Sequence, residues 1–93
     1  MDKEIIDFIK KFNFLNSKEV IDTFLFGNCL YFAIILKLRF PEGDIMLMQI
    51  DNHFVFKLNE KLYDIRGDVT HICNVSDLIY FVFVVVFKNT FYS

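Results

Sequence analysis

The chain has no tryptophan, one proline, three glycines and two cysteines. Two cysteines cannot build the disulfide framework that staples small secreted domains. So little proline and glycine excludes a low-complexity linker or a repetitive fibre. There is no excess of one charge: 12 acidic and 10 basic residues are interspersed, for a net charge of -2. Without a basic stripe, binding of nucleic acid by phosphate neutralisation is disfavoured. A long apolar run is missing too. The longest uncharged one, Leu78 to Phe87, has ten residues between Asp77 and Lys88, whereas a spanning helix needs roughly 20. The opening Met1-Asp2-Lys3-Glu4 is charged and leads into an amphipathic stretch rather than an apolar leader. These features predict a soluble cytoplasmic protein with free thiols, binding neither membrane nor nucleic acid.

What the chain has in quantity is apolar and aromatic residues, 55% and 18% of its 93 residues, with 13 Phe. The length suits one domain, residues 1–93. A small domain buries a modest fraction of its surface, so large rings are an efficient core material. Part of that apolar surface is also available to a partner, and Phe87, Phe91 and Tyr92 near the C-terminus offer a homodimer surface or a lining beneath the first helix.

Periodicity gives helices first and strands after. Ile5, Phe8, Ile9 and Phe12 recur at helical spacing, predicting a helix over 2–12 with Asp2 as N-cap. Asn13 to Asn16 interrupt it, and Ser17 caps a short second helix carrying Val20, Ile21 and Phe24. A third helix is expected from Cys29 to Phe40, with Cys29, Phe32, Ala33, Leu36 and Phe40 on one face and Pro41 and Gly43 ending it. Strands are expected at 45–50, 53–58, 61–65 and 81–87, a helical turn at 77–80 capped by Ser76, and irregular chain over 68–76. Met46 and Met48 share a strand face as core filler. The expected class is α+β: N-terminal helices, with the Cys-bearing helix packed on an antiparallel meander.

Three residues carry candidate chemistry. Cys29 heads the third helix, where unpaired N–H groups and the dipole favour thiolate. A thiol nucleophile needs a base and a group that orients the base. His53 and Asp64 lie on successive strands and supply both. If the loop between those strands is the two residues Asn59-Glu60, Leu58 faces Lys61 and Val55 faces Asp64. His53 and Asp64 then share a face as diagonal neighbours, about 7–8 Å apart at Cα and within side-chain reach. A three-residue loop would send Asp64 to the other face, and Glu60 suits the second position of a type I′ turn poorly. The backbone N–H of Cys29 and the side chain of Asn28 would form the oxyanion site.

The run Gly27-Asn28-Cys29-(x)2-Phe32-Ala33-(x)2-Leu36, Phe40-Pro41-x-Gly43, His53-x-Val55 and Tyr63-Asp64-(x)2-Gly67 resembles small papain-like cysteine hydrolases, closest to compact NlpC/P60-like and transglutaminase-like members. The resemblance spans roughly residues 27–67. It implies Cys29 as nucleophile, His53 as base and Asp64 as its orienter, acting on an amide, isopeptide or thioester bond of a peptide or acyl substrate, with no cofactor. The alternative is a papain-like scaffold without catalysis: a binding or inhibitory protein, an accessory protein of a phage or mobile element that antagonises host defence. A zinc set of Cys29, His53, His71 and Cys73 matches no standard ligand spacing, so no metal is expected.

Overall fold

A computed structural model of the chain describes residues 2–81. Three helices come first: α1 (Asp2–Leu15), α2 (Lys18–Phe26) and α3 (Cys29–Arg39). Five strands follow: β1 (Asp44–Met48), β2 (His53–Leu58), β3 (Lys61–Asp64), β4 (Gly67–Asp68) and β5 (Leu78–Tyr80). Short 3₁₀ turns at Thr70–Ile72 and Val75–Asp77 separate β4 from β5. The strands form one antiparallel sheet in the order β4-β3-β2-β1-β5. The fold is α+β, with the helices packed on this sheet.

The helices form where the apolar spacing predicts. Ile5 and Ile9 put the inner face of α1 at full burial. The helix runs three residues past Phe12, because Asn13 and Asn16 use their amides instead of breaking it. Asn16 Nδ2 donates to the Phe12 carbonyl at 2.8 Å, and Asn13 Nδ2 donates to the Ile65 carbonyl at 2.9 Å. Ser17 caps α2, accepting from the Val20 N–H. In α3, Phe32, Ala33 and Leu36 are buried and Cys29 is half-buried. Lys37 closes the far end of this helix through hydrogen bonds to the carbonyls of Pro41 (2.7 Å) and Gly43 (2.6 Å). Gly43 lies against the Phe56 ring, and a Cβ there would come 2.8 Å from the Lys57 carbonyl oxygen.

The sheet has two differently covered faces. Ile45, Phe56, Leu58, Tyr63 and Ile65 join the helices in the main core. Phe12, Phe24 and Phe32 meet there edge to face or tilted, with centroids 5.1 to 6.0 Å apart. On the opposite face Met46, Met48, Val55 and Leu62 are buried with Val69, and Cys73 and Leu78 pack on them. The two methionines are core, as their spacing indicated.

The β2–β3 hairpin has the register that a two-residue loop dictates: Leu58 pairs with Lys61, Lys57 with Leu62 and Phe56 with Tyr63. Asn59 and Glu60 both take positive φ, 52° and 66°, the type I′ geometry. Three expectations need correction. Strand β1 covers 44–48, so Gln49 and Ile50 belong to the turn. The segment 68–76 contains regular structure: the end of β4, the 3₁₀ turn Thr70–Ile72 and the start of the one at Val75–Asp77. The helical turn expected at 77–80 is mostly strand. Asn74, not Ser76, caps a 3₁₀ turn over 75–77, and Leu78–Tyr80 pair with β1. Asp77 explains the difference: it is buried, and its carboxylate accepts the Ile50 N–H at 3.0 and 3.2 Å. That long-range tie draws the following residues into the sheet. The strand expected at 81–87, beyond Phe81, and the aromatics Phe87, Phe91 and Tyr92 lie outside the described residues.

Candidate functional site

The turn from β3 to β4 supplies a buried carboxylate held by several hydrogen bonds. Asp64 ends β3 with its side chain 4% exposed. The chain then reverses over Ile65 and Arg66 and reaches Gly67 at φ 108°, a conformation open to glycine and costly for other residues. This reversal brings Arg66 back over Asp64. The Arg66 N–H donates to Asp64 Oδ1 at 2.8 Å, Nε lies 3.2 Å from Oδ1 and 3.1 Å from Oδ2, and Nη2 lies 2.6 Å from Oδ2. His53, at the start of β2, puts Nε2 3.0 Å from the same Oδ2.

Burial alone pushes the Asp64 carboxyl upward. The hydrogen bonds from His53 and Arg66, together with the guanidinium charge, outweigh it and hold the group below the usual carboxylate range. Asp64 is therefore ionised at neutral pH and can only accept. It follows that His53 carries its proton on Nε2, which leaves Nδ1 as the basic nitrogen of the neutral ring. The guanidinium is in turn raised, chiefly by its hydrogen bond to Asp64.

A cleft of about 320 Å³ opens beside this pair. Leu25 and Cys29 reach it from the helical layer, Met48 and His53 from the sheet, and Arg66 and Cys73 from the chain beyond β3. Strand alternation puts His53 on the face of Val55, which is turned away from α3. The cleft therefore lies at the end of the sheet, where the N-terminus of α3 and the start of β2 both reach its walls. Asn28 occupies the N-cap position of α3 and makes no capping hydrogen bond through its side chain. Asn52, next to Asp51 in the β1–β2 turn, also lines the cleft.

Several of these residues carry little signal in the sequence. Asn52 has φ 51°, and an Asp-Asn pair ahead of a strand signals a turn, not a cleft wall. Arg66 is two residues from Asp64, so a local pairing was readable but its geometry was not. Cys73 is half-buried. Burial first, and the nearby Asp64 carboxylate second, push its thiol upward, the opposite of an activated nucleophile. His71 is exposed on its 3₁₀ turn, apart from the cleft. No group of three or more His, Cys, Asp or Glu among the described residues is arranged to hold a metal ion. Among the same residues no single helix is long and apolar enough to cross a membrane.

The family model described as Phage YunG-like protein matches residues 5–91. The chain belongs to the Phage YunG-like family. The match thus runs through all three helices and every strand of the sheet. It makes the YunG-like chain a phage-associated small protein and carries no papain-like, NlpC/P60-like or transglutaminase-like label. No curated protein and no solved structure matches this YunG-like chain.

Proposed function

We propose that the protein is a phage accessory protein whose cleft performs thiol-dependent acyl chemistry on an amide, isopeptide or thioester bond. The observation that carries this reading is the 3.0 Å contact between His53 Nε2 and the buried Asp64 carboxylate, in the wall of a cleft that Cys29 also lines. In this mechanism His53 Nδ1 takes the Cys29 thiol proton as sulfur attacks the carbonyl carbon. The proton then passes to the departing amine or thiol. Water hydrolyses the acyl-sulfur bond with His53 again as base. The Cys29 N–H at the start of α3 is the main-chain donor for the oxyanion, and Asn52, which lines the same cleft, is the candidate side-chain donor. What supports this assignment is a Cys at a helix start and a His–Asp pair on neighbouring strands around one cleft.

A second reading is favoured by Arg66. Its guanidinium engages both Asp64 oxygens, a geometry that also suits a purely structural ion pair. On that reading the same cleft binds a protein partner without turnover, and the phage family supports an accessory role of this kind. Iodoacetamide separates the two. Catalysis predicts that Cys29 is alkylated faster than Cys73 at neutral pH and that His53→Ala slows Cys29 about tenfold or more, given that a positioned base is worth about 10²–10⁴. Alkylation of Cys29 at the same rate with and without His53 would leave the binding reading.

A further inference from the structure

The proposed mechanism requires Asp64 to orient His53, and the structure raises the question of what orients Asp64. A carboxylate that is 4% exposed loses most of its hydration, and without a countercharge it takes up a proton. A protonated Asp64 would have a hydroxyl to donate. Imidazole could then accept at Nε2 and carry its proton on Nδ1, the nitrogen that catalysis needs free. The carboxyl group could also rotate about its terminal bond, since such torsions have broad wells.

Arg66 opposes both escapes. Its fork meets Oδ1 and Oδ2 together, and its own N–H adds a further bond to Oδ1 at 2.8 Å. A planar guanidinium that touches both oxygens fixes the carboxylate plane, which an ammonium group at a single point cannot do. The oxygen that receives Nη2 at 2.6 Å is the same Oδ2 that receives His53. Arg66 and His53 are thus coupled through one atom. The Arg66 side chain is 45% exposed and forms part of the cleft wall, so the clamp is continuous with the site.

We propose that Arg66 is a positioning residue: its guanidinium locks the Asp64 carboxylate in the plane that holds His53 as the Nε2–H tautomer and keeps Nδ1 free. The catalytic meaning of this clamp rests on the thiol reading above. The clamp itself is measurable without it.

The experiment is ¹⁵N NMR of the His53 ring in the full chain above neutral pH, with the exposed His71 as a second ring in the same spectrum. In the wild type, His53 is expected as a single tautomer with Nε2 protonated. Arg66→Met is expected to raise the Nδ1–H share several-fold, towards the mixture of a free imidazole in water. Arg66→Lys keeps the charge but not the fork and is expected to fall between. A methionine variant that folds, by circular dichroism, and keeps the wild-type tautomer would overturn the proposal. If Arg66→Met does not fold, Arg66→Lys decides, and a lysine variant indistinguishable from the wild type would overturn the role of the fork. Iodoacetamide completes the set: Arg66→Met is expected to slow Cys29 about tenfold, the lower part of what a misaligned base forfeits, with partial recovery in Arg66→Lys. The two claims fail separately. A wild-type Cys29 no faster than Cys73 sinks the thiol reading and leaves the tautomer result standing. An Arg66-independent tautomer sinks the clamp whatever Cys29 does.

Discussion

At the residue scale, Asp64 concentrates the polar energetics of the molecule. It is buried and ionised, and five contacts from His53 and Arg66 reach its two oxygens. Its folded-state pKa is depressed, so the linkage has a definite sign. A depressed carboxylate adds stability that is fully present above its unfolded pKa of about 3.9 and fades as pH falls through the lower folded value. Asp64→Asn should therefore do two things. It should cost about 1–3 kcal/mol at pH 7, because Arg66 and His53 lose a charged acceptor. It should also flatten the loss of stability below about pH 4 relative to the wild type. Urea midpoints from pH 7 down to pH 3 check both, and parallel acid profiles in the two proteins would contradict the assignment. Individual roles were only partly legible in the chain. Cys29, His53 and Asp64 stand out by type and order. Nothing about spacing shows that Arg66 folds back to hold both Asp64 oxygens, because that depends on the positive φ at Gly67.

At the scale of elements, the β2–β3 hairpin determines which side chains can meet. Its register was readable only through the loop: taking Asn59-Glu60 as the whole turn fixes every pairing, and Asn59 is a good turn residue. Glu60 was the discordant note, and the structure resolves it by placing Glu60 at φ 66°. A non-glycine residue pays roughly 1–2 kcal/mol in that region, whereas glycine loses more freedom on folding. Glu60→Gly is accordingly expected to stabilise the protein by about 0.5–1 kcal/mol, read as a higher urea midpoint with an unchanged slope. A lower midpoint would mean that Glu60 has compensating contacts. The β5 segment departs from its expected helical turn for the converse reason. Ser76 and Asp77 have the look of a helix start, but Asp77 is spent on the Ile50 N–H, 27 positions back. Long-range acceptors of this sort leave no local trace, and local propensity loses to them.

At the scale of the whole molecule, one aromatic cluster joins the three helices. Phe32 is 2% exposed and contacts the rings of Phe12 and Phe24, so it links all three helices. Phe32→Ala should cost about 3–5 kcal/mol, a large part of the 5–15 kcal/mol available to a domain. Thermal unfolding would report this as a melting temperature lower by well over ten degrees, since 1 kcal/mol moves a small domain by about 4–8 °C. A shift of only a few degrees would show that the aromatic cluster repacks around the cavity. The α+β class was legible because helical spacing of apolar residues marks the first half of the chain, and short apolar runs between turn residues mark the second. The shape of the cleft was not, since its walls come from a helix start, a turn and the chain beyond β3. That division has a mechanical consequence. The sulfur travels with the helical layer, while the imidazole and its carboxylate travel with the hairpin. Sliding one layer over the other would change the gap between sulfur and nitrogen and leave every hydrogen bond of the His53–Asp64–Arg66 set intact. Apolar substitutions under α3, remote from any polar atom, are thus a route by which such a protein could gain or lose reactivity in small steps.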